Sequence, residues 1–232
     1  MRAVGEAEGE YGALDLRLEG GTALAAYHLG HRQSADLDFF GDPAMHAGDF
    51  GRFLGGRLAR EGILLTPVGL TNQGFARYEA TVSGSSTVQP VLLDLARTSP
   101  FRIAVPDHAA EGIRVASYRD LCAGKLHAVC GRFEPRDFLD LHVILRHATR
   151  DSSPSDHTPR ERFTQVMRDT LEADPGLSVP YIAQAITRGV GRPLVAVFPL
   201  RLLIPMAEQA VQHTVQLCLE DCAAITRGGG TE

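Results

Sequence analysis

The chain has 232 residues, 44% hydrophobic and 22% charged, with a formal net charge of −5, enough for one sizeable core or a core with a helical appendage. No apolar run reaches the roughly 18 residues of a membrane helix, and the opening MRAVGEAEGEYG is acidic where a secretory leader would be apolar, so a cytoplasmic protein with no membrane partner is expected. The acidic balance argues against a generally basic nucleic-acid surface, while leaving room for a local arginine patch.

Residues 14–18, LDLRL, alternate like a half-buried strand, and Gly20-Gly21 allow a tight turn. TALAAYHLG predicts a helix from about 23 to 29 with Gly30 as its stop, after which ADLDFF returns to strand periodicity. Residues 46–61 place Phe50, Phe53, Leu54 and Leu58 at helical spacing. ILLTPVGL, FARYEATVSG and TVQPVLLDLA then read as a three-stranded meander, with Pro90 confined to an edge or a strand start because it cannot donate a ladder bond. Ser117 and Asp120 have capping-box spacing at the start of SYRDLCAGKLHAVCGRF, and Pro135 suits the first turn of a helix over roughly 135–147.

The polar, proline-punctuated TRDSSPSDHTPR divides the chain into a core over 1–148, a linker over 149–160 and a C-terminal region over 161–232. That region has helical patterns near 161–173, 179–188 and 205–226, and no internal repeat is visible. Cys122, Cys130, Cys218 and Cys222 form no CxxC pair and read as reduced thiols rather than as a zinc site with His127.

Alternation in a strand puts Asp36 and Asp38 on one face and Leu37 and Phe39 on the other. Two adjacent carboxylates repel, and a divalent cation such as Mg²⁺, which prefers hard oxygens, relieves that; a solvated strand end is the alternative. Asp94 lies in the apolar VLLDLA, where an aspartate is out of place unless paired or metal-bound. If its strand neighbours that of Asp36 and Asp38, the three suit two metal ions and nucleotidyl transfer.

The Gly20-Gly21-Thr22 turn offers backbone N–H groups to phosphate at a helix start. Ser34 suits a phosphate oxygen or a turn, and Arg32 an anion or a local carboxylate. Lys125 and Arg132, seven residues apart, share a helix stripe. Lys125 reads either as a snorkelling side chain or as a cation aimed at a triphosphate. Asp137 and Asp140 follow in RDFLDL, where ion pairs with Arg132 or Arg136 are the structural alternative.

Together, GGTALAAYHLGHRQSADLDFF, VLLDLA and ASYRDLCAGKLHAVCGRFEPRDFLDL resemble, in order as well as content, the AbiEii/AbiGii-type nucleotidyltransferases, toxins of bacterial abortive-infection and toxin–antitoxin pairs. The resemblance covers roughly residues 14–147. It implies an α+β, polymerase-β-like nucleotidyltransferase fold: a mixed β-sheet flanked by helices, with a helical C-terminal region. It further implies that Asp36 and Asp38 are metal ligands, that Ser34 and Lys125 contact the NTP, and that Asp137 is an additional active-site carboxylate. The segment before the GGT turn is short, so helices that precede it in relatives are expected to be mostly missing.

These readings lead to an expected Mg²⁺-dependent enzyme, using two ions, that moves an NMP from an NTP such as ATP onto an RNA hydroxyl, the tRNA 3′ end foremost, and is held in check by a cognate antitoxin. The candidate catalytic residues are Asp36, Asp38, Asp94, Lys125 and Asp137; the nucleotide-binding ones are Gly20, Gly21, Thr22, Arg32, Ser34, Lys125 and Arg132; the metal ligands are Asp36, Asp38 and Asp94. An RNA acceptor would call for a groove lined by residues such as Arg119, Arg132, Arg136 and Arg146. A small-molecule acceptor resembling an aminoglycoside, or a silent nucleotide-binding module, are the alternatives.

Overall fold

The expected meander lies at one edge of a seven-stranded mixed sheet. The computed structural model describes residues 1–12, 14–85, 87–97, 101–106, 108–110, 112–146, 157–195 and 201–228. Two compact units divide the chain: Met1–Ala23, Ser34–Pro100 and Val105–Ser117 form the first, and Leu24–Gln33, Phe101–Ala104 and Tyr118–Glu232 the second.

The first unit holds β1 (Arg17–Glu19), β2 (Asp36–Gly41), β3 (Ile63–Pro67), β4 (Phe75–Val82), β5 (Val91–Arg97), β6 (His108–Ala110) and β7 (Ile113–Val115), in the order β3-β4-β5-β2-β1-β7-β6. Strands β3, β4 and β5 are successively antiparallel, β2 runs parallel to β5, and β1 runs antiparallel to β2 and parallel to β7. Pro90 stands directly before β5, where its missing N–H breaks no ladder bond.

One face of the sheet is closed. Leu18, Phe39, Ala76, Tyr78, Leu93 and Leu95 are buried there, and α3 (Ala47–Ala59) lies against β3, β4 and β5 with Phe50, Leu54 and Leu58 as its buried stripe. Gly51 permits the approach, because a Cβ at that position would run into the Tyr78 ring. Truncating Phe50 or Leu54 to alanine would cost about 2–5 kcal/mol.

The same layer contains α1 (Arg2–Tyr11), a single short helix before the GGT turn, where preceding helices were expected to be mostly missing. Its buried stripe is Ala3, Val4 and Ala7, small residues that leave a weak hydrophobic signature among the glutamates. Tyr11 packs its ring 5.3 Å from both Phe50 and Phe53. Arg57 of α3 binds Glu6 at 2.5 Å and Glu10 at 3.2 Å.

Helix α2 begins at Gly20–Ala23 and continues through Leu24–Leu29 with π geometry, where Gly30 N–H donates to the Ala25 carbonyl at 2.8 Å. Gly30 stops it with φ +62°. The end agrees with the sequence expectation, whereas the start lies three residues earlier, at Gly20, and the winding differs.

The second unit is helical: α4 (Tyr118–Gly131), α5 (Pro135–Arg146), α6 (Pro159–Ala173), α7 (Val179–Thr187) and α8 (Glu208–Gly228). Helix α4 packs on α5, α6 and α7 within this unit. Residues 147–156, most of the expected linker, lie outside the described residues, and Pro159 and Arg160 already belong to α6. Thr158 caps α6 in a reciprocal capping box with Glu161. Asp120, read as a capping partner of Ser117, accepts the N–H groups of Ile103 and Ala104 at 2.7 and 3.2 Å. All four cysteines are free and buried, and among the described residues no helix is long and apolar enough to cross a membrane.

Candidate active site

Cross-strand partners in a sheet share a face. The registers Glu19↔Asp38, Asp38↔Asp94 and Arg77↔Asp94 therefore set Glu19, Asp38, Asp94 and Arg77 in one row across β1, β2, β5 and β4. Asp36 stands on the same face one step further along β2, in register with Leu92. This is the face opposite α3. Adjacent strands lie about 4.8 Å apart, so the sheet brings together the three aspartates that the sequence singled out.

Two members of the row were not foreseen. Glu19 was visible only as the residue before the glycine turn, and nothing local announces that β1 pairs with β2. Arg77 closes on Asp94 with both prongs, Nε to Oδ1 at 2.7 Å and Nη2 to Oδ2 at 2.6 Å. The hydrogen bond to Asp94 raises the Arg77 pKa against the effect of burial, and the charges of Asp94, Asp36 and Asp38 raise it further. A lone arginine in FARYEATV, facing the same side as Glu79, was the available signal.

The glycine turn is locked to this row. Gly20 has φ +69°, and a Cβ there would overlap the Asp38 carboxylate, so only glycine lets that carboxylate lie against the turn. The Thr22 hydroxyl donates to the Asp36 carbonyl, which commits it to the backbone of β2. Ser34 is half-buried just ahead of Asp36.

The remaining candidates lie in the second unit, within a buried ion network. Asp140 is fully buried and accepts from Arg32 Nε at 2.6 Å and Nη2 at 2.8 Å. His31 Nε2 lies 2.7 Å from it and Lys125 Nζ 2.8 Å from it. Lys125 also reaches Asp137 Oδ1 at 3.1 Å, and Arg132 Nε donates to Asp137 Oδ2 at 3.0 Å. Burial alone would depress the Lys125 pKa, but Asp140 and then Asp137 outweigh it and hold it above its ordinary value. Burial would likewise raise the Asp140 pKa, yet Lys125, Arg32 and His31 hold it well below the usual carboxylate range.

Arg32 thus takes the carboxylate option left open for it, with a partner 108 residues away. The arginines expected to line an RNA groove are largely committed elsewhere: Arg119 grips Asp169 at 2.7 and 2.6 Å, Arg132 holds Asp137, and Arg136 holds Glu134 at 2.5 Å.

Comparison with known proteins decides the family. The model of the AbiEii nucleotidyl transferase toxins of type IV toxin–antitoxin systems matches residues 10–189. The chain belongs to this family. It is a nucleotidyltransferase of the AbiEii toxin type. Solved structures share its fold: JHP933 from Helicobacter pylori, at 20% identity over 98% of this chain and 92% of that one, has a TM-score of 0.50. The nucleotidyltransferase toxin MenT4 from Mycobacterium tuberculosis H37Rv, at 16% identity over 96% and 81%, has a TM-score of 0.53. No curated protein matches at a significant level.

For this AbiEii protein, a divalent cation is implied by the chemistry of the family. Asp36 and Asp38 offer hard oxygens on one face, which fits Mg²⁺. Asp94 has turned to Arg77, and among the described residues no three His, Cys, Asp or Glu side chains converge as a ready cage. The two β2 carboxylates fit the ion, and Asp94 fits a role beside it.

Proposed function

We propose that this AbiEii enzyme moves an NMP from an NTP to the 3′-terminal hydroxyl of an RNA, with tRNA as the acceptor, in a Mg²⁺-dependent reaction. It would act as the toxin of an abortive-infection pair, inside the cell and under the control of a cognate antitoxin. The observation that carries this reading is the register row in which Asp94 stands beside Asp38, with Asp36 on the same face and the Gly20 turn against it.

In this reading Asp36 and Asp38 would hold Mg²⁺, which when bound neutralises phosphate charge and lowers the pKa of an attacking hydroxyl. Asp94 serves as the base: it accepts the proton of the RNA hydroxyl, whose oxygen then bonds to the α-phosphorus. The bond from that phosphorus to the bridging oxygen breaks, and pyrophosphate leaves. A carboxylate has about four lone-pair sites, so Asp94 can hold the Arg77 fork with two and keep others for this proton. Lys125 has three N–H donors, two of them on Asp140 and Asp137, and the third is its means of serving a phosphate oxygen. Gly20 leaves the space in which the Asp38 carboxylate lies against the turn.

Transfer of label from each of the four α-³²P NTPs onto total tRNA, wild type against Asp38→Ala, tests the reading. Labelled RNA that disappears in the variant supports it. A cationic small-molecule acceptor is the second reading, favoured by the acidity of the row itself. It would be taken up if the wild type labels an aminoglycoside and no RNA. NTP binding without transfer to either would leave a silent module.

A further inference from the structure

We infer that Phe75 and Arg77, with Phe40 and Ala96 beside them, form the seat for the terminal nucleobase of the RNA acceptor. This rests on the transfer reaction proposed above and deepens it by assigning the residues that recognise a nucleic-acid end.

The registers Phe40↔Ala96 and Phe75↔Ala96 make a second row directly alongside the first. Phe40, Ala96 and Phe75 each stand two residues from Asp38, Asp94 and Arg77 in turn, so both rows face the same way, roughly 6.8 Å apart along the strands. Small Ala96 stands between the two phenylalanines, and Phe40 and Ala96 are both half-buried. A flat ring above Ala96 would stand one strand spacing, about 4.8 Å, from the strand of each phenylalanine, within reach of long aromatic side chains on both.

The row reaches the surface at Phe75. Phe75 is 37% exposed, whereas its strand neighbours on the opposite face, Ala76 and Tyr78, are buried. Arg77 lies with its guanidinium carbon 5.8 Å from the Phe75 ring centroid, and its side chain is 44% exposed. Asp94 occupies its Nε and Nη2, which fixes the guanidinium and leaves Nη1 to donate to the acceptor's sugar or phosphate.

The chemistry of this row selects the occupant. A polyamine or amino sugar would be drawn to the carboxylates and would gain little from two phenylalanines and a cation. A nucleobase gains from both, because every base has a π-face to stack and arginine adds cation–π attraction and a counter-charge for phosphate. The seat also lies beside Asp94, the group proposed to take the proton from the terminal hydroxyl, so base recognition and deprotonation occur one row apart.

The test compares wild type, Phe75→Ala, Phe75→Leu and Phe75→Trp. The readouts are affinity for a 5′-fluorescent RNA by anisotropy without NTP, affinity for each NTP by calorimetry, and acceptor KM in the labelling assay. Phe75→Ala and Phe75→Leu are expected to weaken RNA binding and raise acceptor KM about tenfold. Affinity for NTP should stay within about twofold, and Phe75→Trp should retain wild-type RNA binding. Leucine keeps the apolar bulk, so a loss shared by both truncations reports stacking and not folding. Unchanged RNA affinity in Phe75→Leu, or equal losses for RNA and NTP, would overturn the assignment. A wild type that neither binds nor labels RNA would overturn the acceptor class first, and the seat with it.

Discussion

Asp140→Asn probes the ion network with little change in volume. The asparagine keeps the shape of the side chain but removes the charge and presents an NH₂ donor to groups that are themselves donors. Arg32, 4% exposed, loses two charge-assisted bonds of 2.6 and 2.8 Å, and Lys125 loses a 2.8 Å contact while keeping Asp137 at 3.1 Å. Removing one partner of a buried ion pair costs about 3–5 kcal/mol, and the retained Asp137 contact places this case near 3–4 kcal/mol. For a chain of this length each 1 kcal/mol shifts Tm by about 2–4 °C, so a fall of roughly 6–16 °C is expected. Urea unfolding followed by far-UV circular dichroism, with a thermal melt alongside, measures it. Arg136→Ala, which breaks a half-exposed pair with Glu134, serves as the control and should cost no more than about 1 kcal/mol. An Asp140→Asn protein within about 1 kcal/mol of wild type would refute the account, because the carboxylate would then not be the centre of a desolvated network.

Gly20→Ala forces a side chain into a left-handed backbone at a cost of about 1–2 kcal/mol and displaces the Asp38 carboxylate. Label transfer should fall at least tenfold, and full activity in a folded variant would show that Asp38 does not need its place. The pH dependence of stability has two limbs. The depressed Asp140 pKa contributes stability above the ordinary carboxylate range and loses it as pH falls through the folded value, whereas the raised Lys125 pKa contributes below about pH 10.4 and loses it as pH rises through the folded value. Urea midpoints across pH should therefore decline at both ends, and Asp140→Asn should flatten the acid limb. Bound Mn²⁺, read by electron paramagnetic resonance as a stand-in for Mg²⁺, should weaken at least tenfold in Asp36→Asn and in Asp38→Asn, and equal binding in both variants and wild type would remove these carboxylates as ligands.

Much of the framework follows from short-range periodicity. FARYEATV, with its polar positions interleaved, and the apolar run VLLDLA became β4 and β5, and the spacing of Phe50, Leu54 and Leu58 marked α3. Strands β6 and β7 have three residues each, too few for alternation to register, and α1 has a stripe made of alanines and a valine. The π turn in α2 is invisible for a different reason: one extra residue per turn barely changes a pattern of small apolar side chains. At the site, Asp36 and Asp38 are legible because both lie in one strand. Glu19 and Arg77 become their neighbours only through strand order, and Arg32 meets Asp140 only through tertiary packing across 108 residues.

Lys125 is where the chemistry expected from sequence meets the structure most sharply. As a triphosphate ligand it would want a free ammonium; here its side chain is 7% exposed and is held between two fully buried carboxylates. A purely structural lysine would explain that burial, since Asp137 and Asp140 on one helix need a cation between them. A ligand-binding lysine would also gain, because the same two carboxylates keep it charged and fix its position, and among the described residues they use two of its three donors. Lys125→Met separates these roles. Both predict a loss of about 2–4 kcal/mol in urea unfolding, because buried carboxylates lose a partner. They differ in ligand affinity measured on the folded protein: a lysine serving phosphate predicts that NTP affinity falls at least tenfold more than affinity for the matching NMP, which lacks the outer phosphates. Equal changes for NTP and NMP would make Lys125 a brace for Asp137 and Asp140, and the triphosphate would then have to find its cation elsewhere.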